Sequence, residues 1–200
     1  LKSKPQSKKG CGFFAGTPAY GTTMLEIIAF CCGALVMVLE MVGARVLAPH
    51  VGTSAVVWTS LIGVVLACLA VGAWLGGRLA DRHLSRRGLA FILTGASLGS
   101  ALAAGTHRLV GEALSVAITD IHLAAVACAL GILALPALCC GMISPCIIRL
   151  RIRDVATSGA TVGRLYALST AGSIVGTFLG GFVLISFFAS GTILWGVALG

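Results

Sequence analysis

Charged side chains are scarce in this chain of 200 residues: Asp, Glu, Lys and Arg make up 10% of it. A soluble domain carries about 25%, so too few polar groups are present to coat a water-soluble globule. A secreted disulfide scaffold, a nucleic-acid reader and a disordered tail are excluded on the same ground. Haem-attachment, phosphate-loop and nucleophile-elbow motifs are missing as well. Eight cysteines are present, yet none has the spacing of a metal knuckle. Seven of them, Cys31, Cys32, Cys68, Cys128, Cys139, Cys140 and Cys146, lie in apolar runs, where a thiol behaves as a small hydrophobe. The neighbours Cys31–Cys32 and Cys139–Cys140 are poor disulfides, because adjacent helical side chains diverge.

Hydrophobic residues supply 58% of the chain and the mean hydropathy is +1.05, so lipid is the solvent for most of it. A span needs about 20 predominantly apolar residues. Five such runs occur, at 24–48, 54–80, 88–105, 122–148 and 162–188, and a sixth starts near Thr192 and reaches residue 200. The spacing therefore predicts an all-α, polytopic transmembrane bundle. Residues 1–22 read as a basic cytoplasmic arm, not a signal peptide, since the following run is too long and has no small-residue cleavage site. Residues 107–121 place Leu109, Ala113, Leu114, Ala117, Ile118 and Ile121 at helical spacing against Arg108, Glu112 and Asp120. They predict a short amphipathic helix in the interface, with an extended loop as the alternative.

Topology follows from the bases. With a cytoplasmic N-terminus, the inner side receives Lys2, Lys4, Lys8, Lys9, Arg78, Arg82, Arg86, Arg87, Arg149, Arg151, Arg153 and Arg164, which is 12 of the 14. Arg45 and Arg108 are the exceptions.

Glu40 lies inside the first span, where a charge costs about 2.5–3.5 kcal/mol on insertion scales. Arg45 follows five residues later, about 8 Å along the helix and rotated by about 140°, so the two do not stack. Arg45 is expected to snorkel to the outer headgroups, leaving Glu40 to find a partner on another helix. Glu40 reads either as a proton or cation site or as an interhelical hydrogen-bond anchor. Gly72 and Gly76, with Gly77 beside them, give the second span a close-packing face, and Gly172, Gly176 and Gly180 give the fifth span another. Arg78, Asp81 and Arg82 follow where the second span leaves the bilayer. Pro136 and Pro145 flank Gly141 in the fourth span and predict a kink or local unwinding. His50, His107, His122, Glu112 and Asp120 share the outer side without ligand spacing. No residue set implies a catalytic group, a metal or a cofactor.

The segment VGAWLGG at 71–77 returns as VGTFLGG at 175–181, with five of seven positions identical. The offset is 104, the same as between Arg45 and Arg149. Three spans separate the copies, so they cross the bilayer in opposite senses, as a three-plus-three inverted repeat requires.

Glu40, Ala44-Arg45, Leu47-Ala48-Pro49, Gly52, Ser54, Trp58 and the run from Gly72 to Arg82 resemble the N-terminal membrane domain of the spermidine synthase-like membrane proteins. The segment GRLYALSTAGSIVGTFLGGFVLI at 163–185 resembles their later helix. GGRLADR is also similar to the loop between the second and third helices of major-facilitator transporters. The resemblance covers about residues 24–188 and implies a major-facilitator-like fold. It does not imply the aminopropyl-transfer reaction, since nothing in these residues folds into the soluble domain that performs it. Where a proline is expected after the late helix, this chain has Ile185-Ser186-Phe187-Phe188.

Two functions are consistent with these features. The first is a noncatalytic membrane module or accessory subunit that packs through its glycine faces against other membrane subunits, a further copy of itself or a C-terminal domain. The alternative is a half-size carrier of small solutes or cations that uses Glu40. An enzymatic role requires a partner chain or a further domain. The lipid bilayer is the expected surrounding, and nucleic acid is not an expected partner.

Overall fold

The computed structural model describes residues 20–82, 85–152 and 158–199, and those residues are helical apart from short connections. The expected cytoplasmic arm and Arg153 lie almost wholly outside the described residues. Helix α1 spans Tyr20–Val51, α2 Ala55–Asp81, α3 Arg86–Ala117, α4 Ile121–Arg151 and α5 Ser158–Phe178. The last of these continues as a π-helical stretch over Leu179–Leu184 and a final turn, Ile185–Phe187, before α6, Ser190–Leu199. In hydrocarbon each backbone N–H and C=O must be paired within its own segment, which makes helix the available answer for such apolar runs. Five helices are long and apolar enough to cross a membrane, and the chain is a multi-pass integral membrane protein.

Local signals set the ends. Gly52 adopts φ 81° and donates its N–H to the Ala48 carbonyl at 3.0 Å, closing α1 as a left-handed glycine cap does. Asp120 caps α4 by accepting from the His122 and Leu123 N–H groups at 2.8 and 3.1 Å. Those two bonds, Leu123 first, hold its carboxyl below the usual range.

Two expectations are corrected. The third span and the interfacial helix are one rod of 32 residues, about 48 Å long. The polar run Thr106-His107-Arg108 lowers hydropathy without breaking the backbone, because none of the three lacks a backbone N–H; the Thr106 hydroxyl meets its own bonding need by donating to the Leu102 carbonyl at 2.7 Å. Tertiary contacts hold the last turns in line: Gly111 sits against the His50 ring of α1, and Val110 against Gly131 of α4. The fourth span is not unwound either, since α4 is helical throughout its 31 residues. Each proline ring is set against a neighbour's glycine, Pro136 against Gly99 of α3 and Pro145 against Gly76 of α2. The irregular turn is instead in the fifth span at Gly180-Gly181, two residues with weak helical preference.

The core lies where α1 and α4 cross. Half of the most apolar stretch of α4 is buried, against 17% of that of α5, so α4 is central and α5 faces lipid. Val42, Leu47, Leu61, Cys128, Leu133 and Cys146 are fully enclosed. α2 lies on α4, α5 on α1, and α3 on α4 and α6. Short connections return the chain, so the start of α1, the α2–α3 turn and the α4–α5 turn share one end. Arg78, Arg82, Arg86, Arg87, Arg149, Arg151 and Arg164 gather there.

Candidate functional site

The helix seams explain where the open space is. A Cβ on Gly72 would fall on the Leu138 carbonyl, and one on Gly76 would lie 2.7 Å from Met142 Cα. α2 therefore meets α4 backbone to backbone. On the other flank, Gly172 faces the Phe30 carbonyl and Gly176 the Ala34 carbonyl of α1, and Gly180 approaches Val38 at an ordinary 3.6 Å. The Ser173 hydroxyl donates across that seam to Gly33 O at 3.2 Å. Gly77 lies outside the seams, with nothing within 4 Å of a Cβ placed on it. The glycine faces expected to receive a partner are thus occupied inside the chain. Small residues let backbones approach this closely, but spacing alone does not say which helix approaches.

With α2 drawn onto α4 and α5 onto α1, space is left on both sides of the α1–α4 crossing. A cavity of about 450 Å³ lies between α1, α3, α4 and α6, where Cys31 and Cys32 face Thr94, Ser97 and Ser100. A second, of about 240 Å³, lies on the α2 and α5 side and includes Ser144, Ser169 and Ser173. Cys32 and Cys140 line both, and the Cys32 thiol donates to the Cys140 carbonyl at 3.7 Å. Those two residues form the partition between the cavities. Among the described residues neither cavity is lined by a carboxylate or a basic side chain.

Glu40 is half-buried and makes no hydrogen bond or ion pair among the described residues. It stands one turn beyond Val36, a residue of the smaller cavity, on the same face of α1. The expected interhelical partner is therefore not found among the described residues. Arg45 does not simply snorkel: its guanidinium donates to the Ile185 carbonyl. The reason is local, because Ile185 lies in the last turn of its helix, where carbonyls have no intrahelical donor. Arg78 stacks on Trp74, 3.9 Å from the ring centre. Asp81 ends α2, and the Arg82 N–H caps it by donating to Leu79 O at 3.2 Å. The outer histidines and acids do not converge, and the described residues hold no group of three or more potential metal ligands.

One polar cluster escaped sequence reasoning. Glu26 of α1 accepts from Arg164 of α5 at 2.9 Å and from Arg151 of α4 at 3.5 Å. This clip ties three helices at the arginine-rich end. An acid three residues inside the first span reads as a solvated terminus, and only its depth relative to Arg151 and Arg164 hints otherwise. Comparison of the chain with known protein families, with characterised proteins and with solved structures finds no match for it.

Proposed function

We propose that this chain is a carrier-type membrane unit built as an inverted repeat of three helices, with its solute site in the space between the repeats. The observation that carries the reading is the register of the glycine seams. Gly72 meets Leu138, and Gly176 meets Ala34; 176 minus 72 and 138 minus 34 are both 104. Gly76 meets Met142, and Gly180 meets Val38; again both differences are 104. A shift of 104 thus turns these two contacts of the α2–α4 seam into two of the α1–α5 seam. One helix start agrees as well: Arg86 corresponds to 190, and a helix starts at Ser190. The echo of 71–77 in 175–181 therefore extends to the partners of its glycines, which supports the repeat.

The larger cavity straddles the exchange, since Leu93 and Val197, also 104 apart, both line it. The smaller one does the same through Val36 and Cys140. Inverted-repeat carriers bind their solutes at the repeat interface and work by rocking one repeat against the other. The arginine-rich end places the N-terminus on the cytoplasmic side in this proposal, and the likeness of residues 24–188 to the membrane domain of the spermidine synthase-like proteins supports a major-facilitator-like arrangement.

The test uses Cys31, which is exposed and lines the larger cavity. In a full-length variant retaining only that thiol, reconstituted in vesicles, a membrane-impermeant maleimide should label it from either face, as alternating access requires. Labelling from one face alone, or from neither, would overturn the carrier reading. It would favour the second reading, a noncatalytic accessory module, which draws support from the exposed row Ile174, Phe178 and Phe182 on α5. Co-purification of a partner chain from native membranes, lost on substituting that row, is the corresponding test.

A further inference from the structure

We infer that the larger cavity takes an uncharged, mainly apolar molecule bearing a hydrogen-bond donor such as a hydroxyl group. The inference rests on the site assignment just proposed and adds the chemistry of its occupant. Charge is excluded first. Among the described residues no Asp, Glu, Lys, Arg or His lines this space, and an ion moved there from water would lose its hydration with no counter-charge from them to replace it.

The sense of the hydrogen bond follows from where the wall's protons already go. The Thr94 hydroxyl donates to Ala90 O at 2.9 Å, that of Ser100 to Ala96 O at 3.0 Å, and that of Ser97 to the Ala198 carbonyl. The Cys32 thiol is likewise committed, to Cys140 O. A hydroxyl has one proton and two lone pairs, so with its proton turned to that carbonyl each of these three oxygens presents lone pairs to the cavity, and the remaining thiols of the wall, Cys31 and Cys140, are only weak donors. The three oxygens recur every three residues on α3 and form a strip of acceptors along one face. A neutral alcohol matches that strip. A carboxylate or phosphate, which only accepts, is rejected both by its charge and by the direction of the bonds. An ammonium group has protons to give but meets no anion. The remaining wall is aliphatic, and the volume of about 450 Å³ falls within the ordinary range for small-molecule sites.

The experiment is photolabelling of the full chain in phosphatidylcholine vesicles with three probes of equal length: a diazirine-bearing octanol, its octylammonium analogue and its octanoate analogue. The alcohol should modify the α3 peptide containing Thr94–Ser100 at least tenfold more than either ion. Unlabelled octanol should compete and octane should not. Thr94→Val, which keeps the volume and removes an acceptor, should lower labelling several-fold. Equal labelling by an ionic probe, competition by octane as strong as by octanol, or unsaturable labelling would each overturn the inference. Two-faced access to Cys31 without alcohol labelling would sink the ligand class and leave the carrier reading standing. Saturable alcohol labelling with one-faced access would do the reverse.

Discussion

Adding a single methyl group at four glycines tests the seams and their exchange together. Gly72 and Gly176 are 104 apart and both lie against a carbonyl of the facing helix; Gly77 and Gly181 are also 104 apart and both face open space. Alanine improves helical propensity by about 1 kcal/mol at each of the four, so that gain cancels in a comparison between the pairs. The neighbouring Gly76 shows the scale of the clash, since its Cβ would lie 2.7 Å from Met142 Cα. Relief to a normal contact near 3.5 Å separates the backbones by about 0.8 Å, a gap that forfeits a quarter to a half of the dispersion well along the seam. Overpacking of this kind costs about 1–3 kcal/mol. Gly72→Ala and Gly176→Ala should therefore each lie about 1–3 kcal/mol below Gly77→Ala and Gly181→Ala. SDS titration in mixed micelles, followed by Trp58, Trp74 and Trp195 fluorescence, reads the difference. A neutral Gly176→Ala beside a damaging Gly72→Ala would refute the exchange, and a damaging Gly77→Ala would refute the seam.

Three further outcomes are expected. Arg164→Ala should cost less than about 1 kcal/mol, because its side chain is 66% exposed and exposed pairs are screened; Glu26→Ala should cost more, since two guanidinium groups lose their acceptor, and the same titration compares them. Asp120→Asn should narrow its stability deficit against the parent as the solution is acidified. The folded carboxyl titrates below its unfolded value near 3.9, so its contribution is complete above that pH and is lost as pH falls through the lower folded value; melting curves at pH 7 and pH 3 check it. If Glu40 carries the coupling proton, Glu40→Gln should abolish proton-driven uptake in vesicles and leave folding intact, and unchanged uptake would remove it from that role.

The spans were legible because hydropathy reports the solvent, and hydrocarbon admits little besides helix. Continuity of α3 was not, because Thr106, His107 and Arg108 depress hydropathy, whereas the backbone is governed by its own N–H···O=C ladder and by the docking of Gly111 on His50. The glycine spacing announced close packing but not its address. Gly72 and Gly176 show small faces in the sequence, and only the fold reveals that α4 and α1 fill them. The echo at 71–77 and 175–181 says more, since its offset of 104 also relates Gly72–Leu138 to Gly176–Ala34 and Gly76–Met142 to Gly180–Val38. Pro136 and Pro145 suggested unwinding that α4 does not show, because a proline's local cost says nothing of the glycine waiting opposite it. Glu26 was passed over because an acid near a basic end looks solvated until Arg151 and Arg164 are seen to converge on it.

The clip formed by Glu26, Arg151 and Arg164 has no twin. Shifted by 104, its members become Leu130, Leu47 and Ser60, so an ion-pair clip fastens one mouth of the bundle, whereas the other is fastened by packing and by the bond from Arg45 to the Ile185 carbonyl. Ionic strength then acts as an uneven lever. Raising salt shortens the reach of the charges and loosens the arginine-rich mouth more than the far one, so the two ends of the bundle answer differently to the same solution.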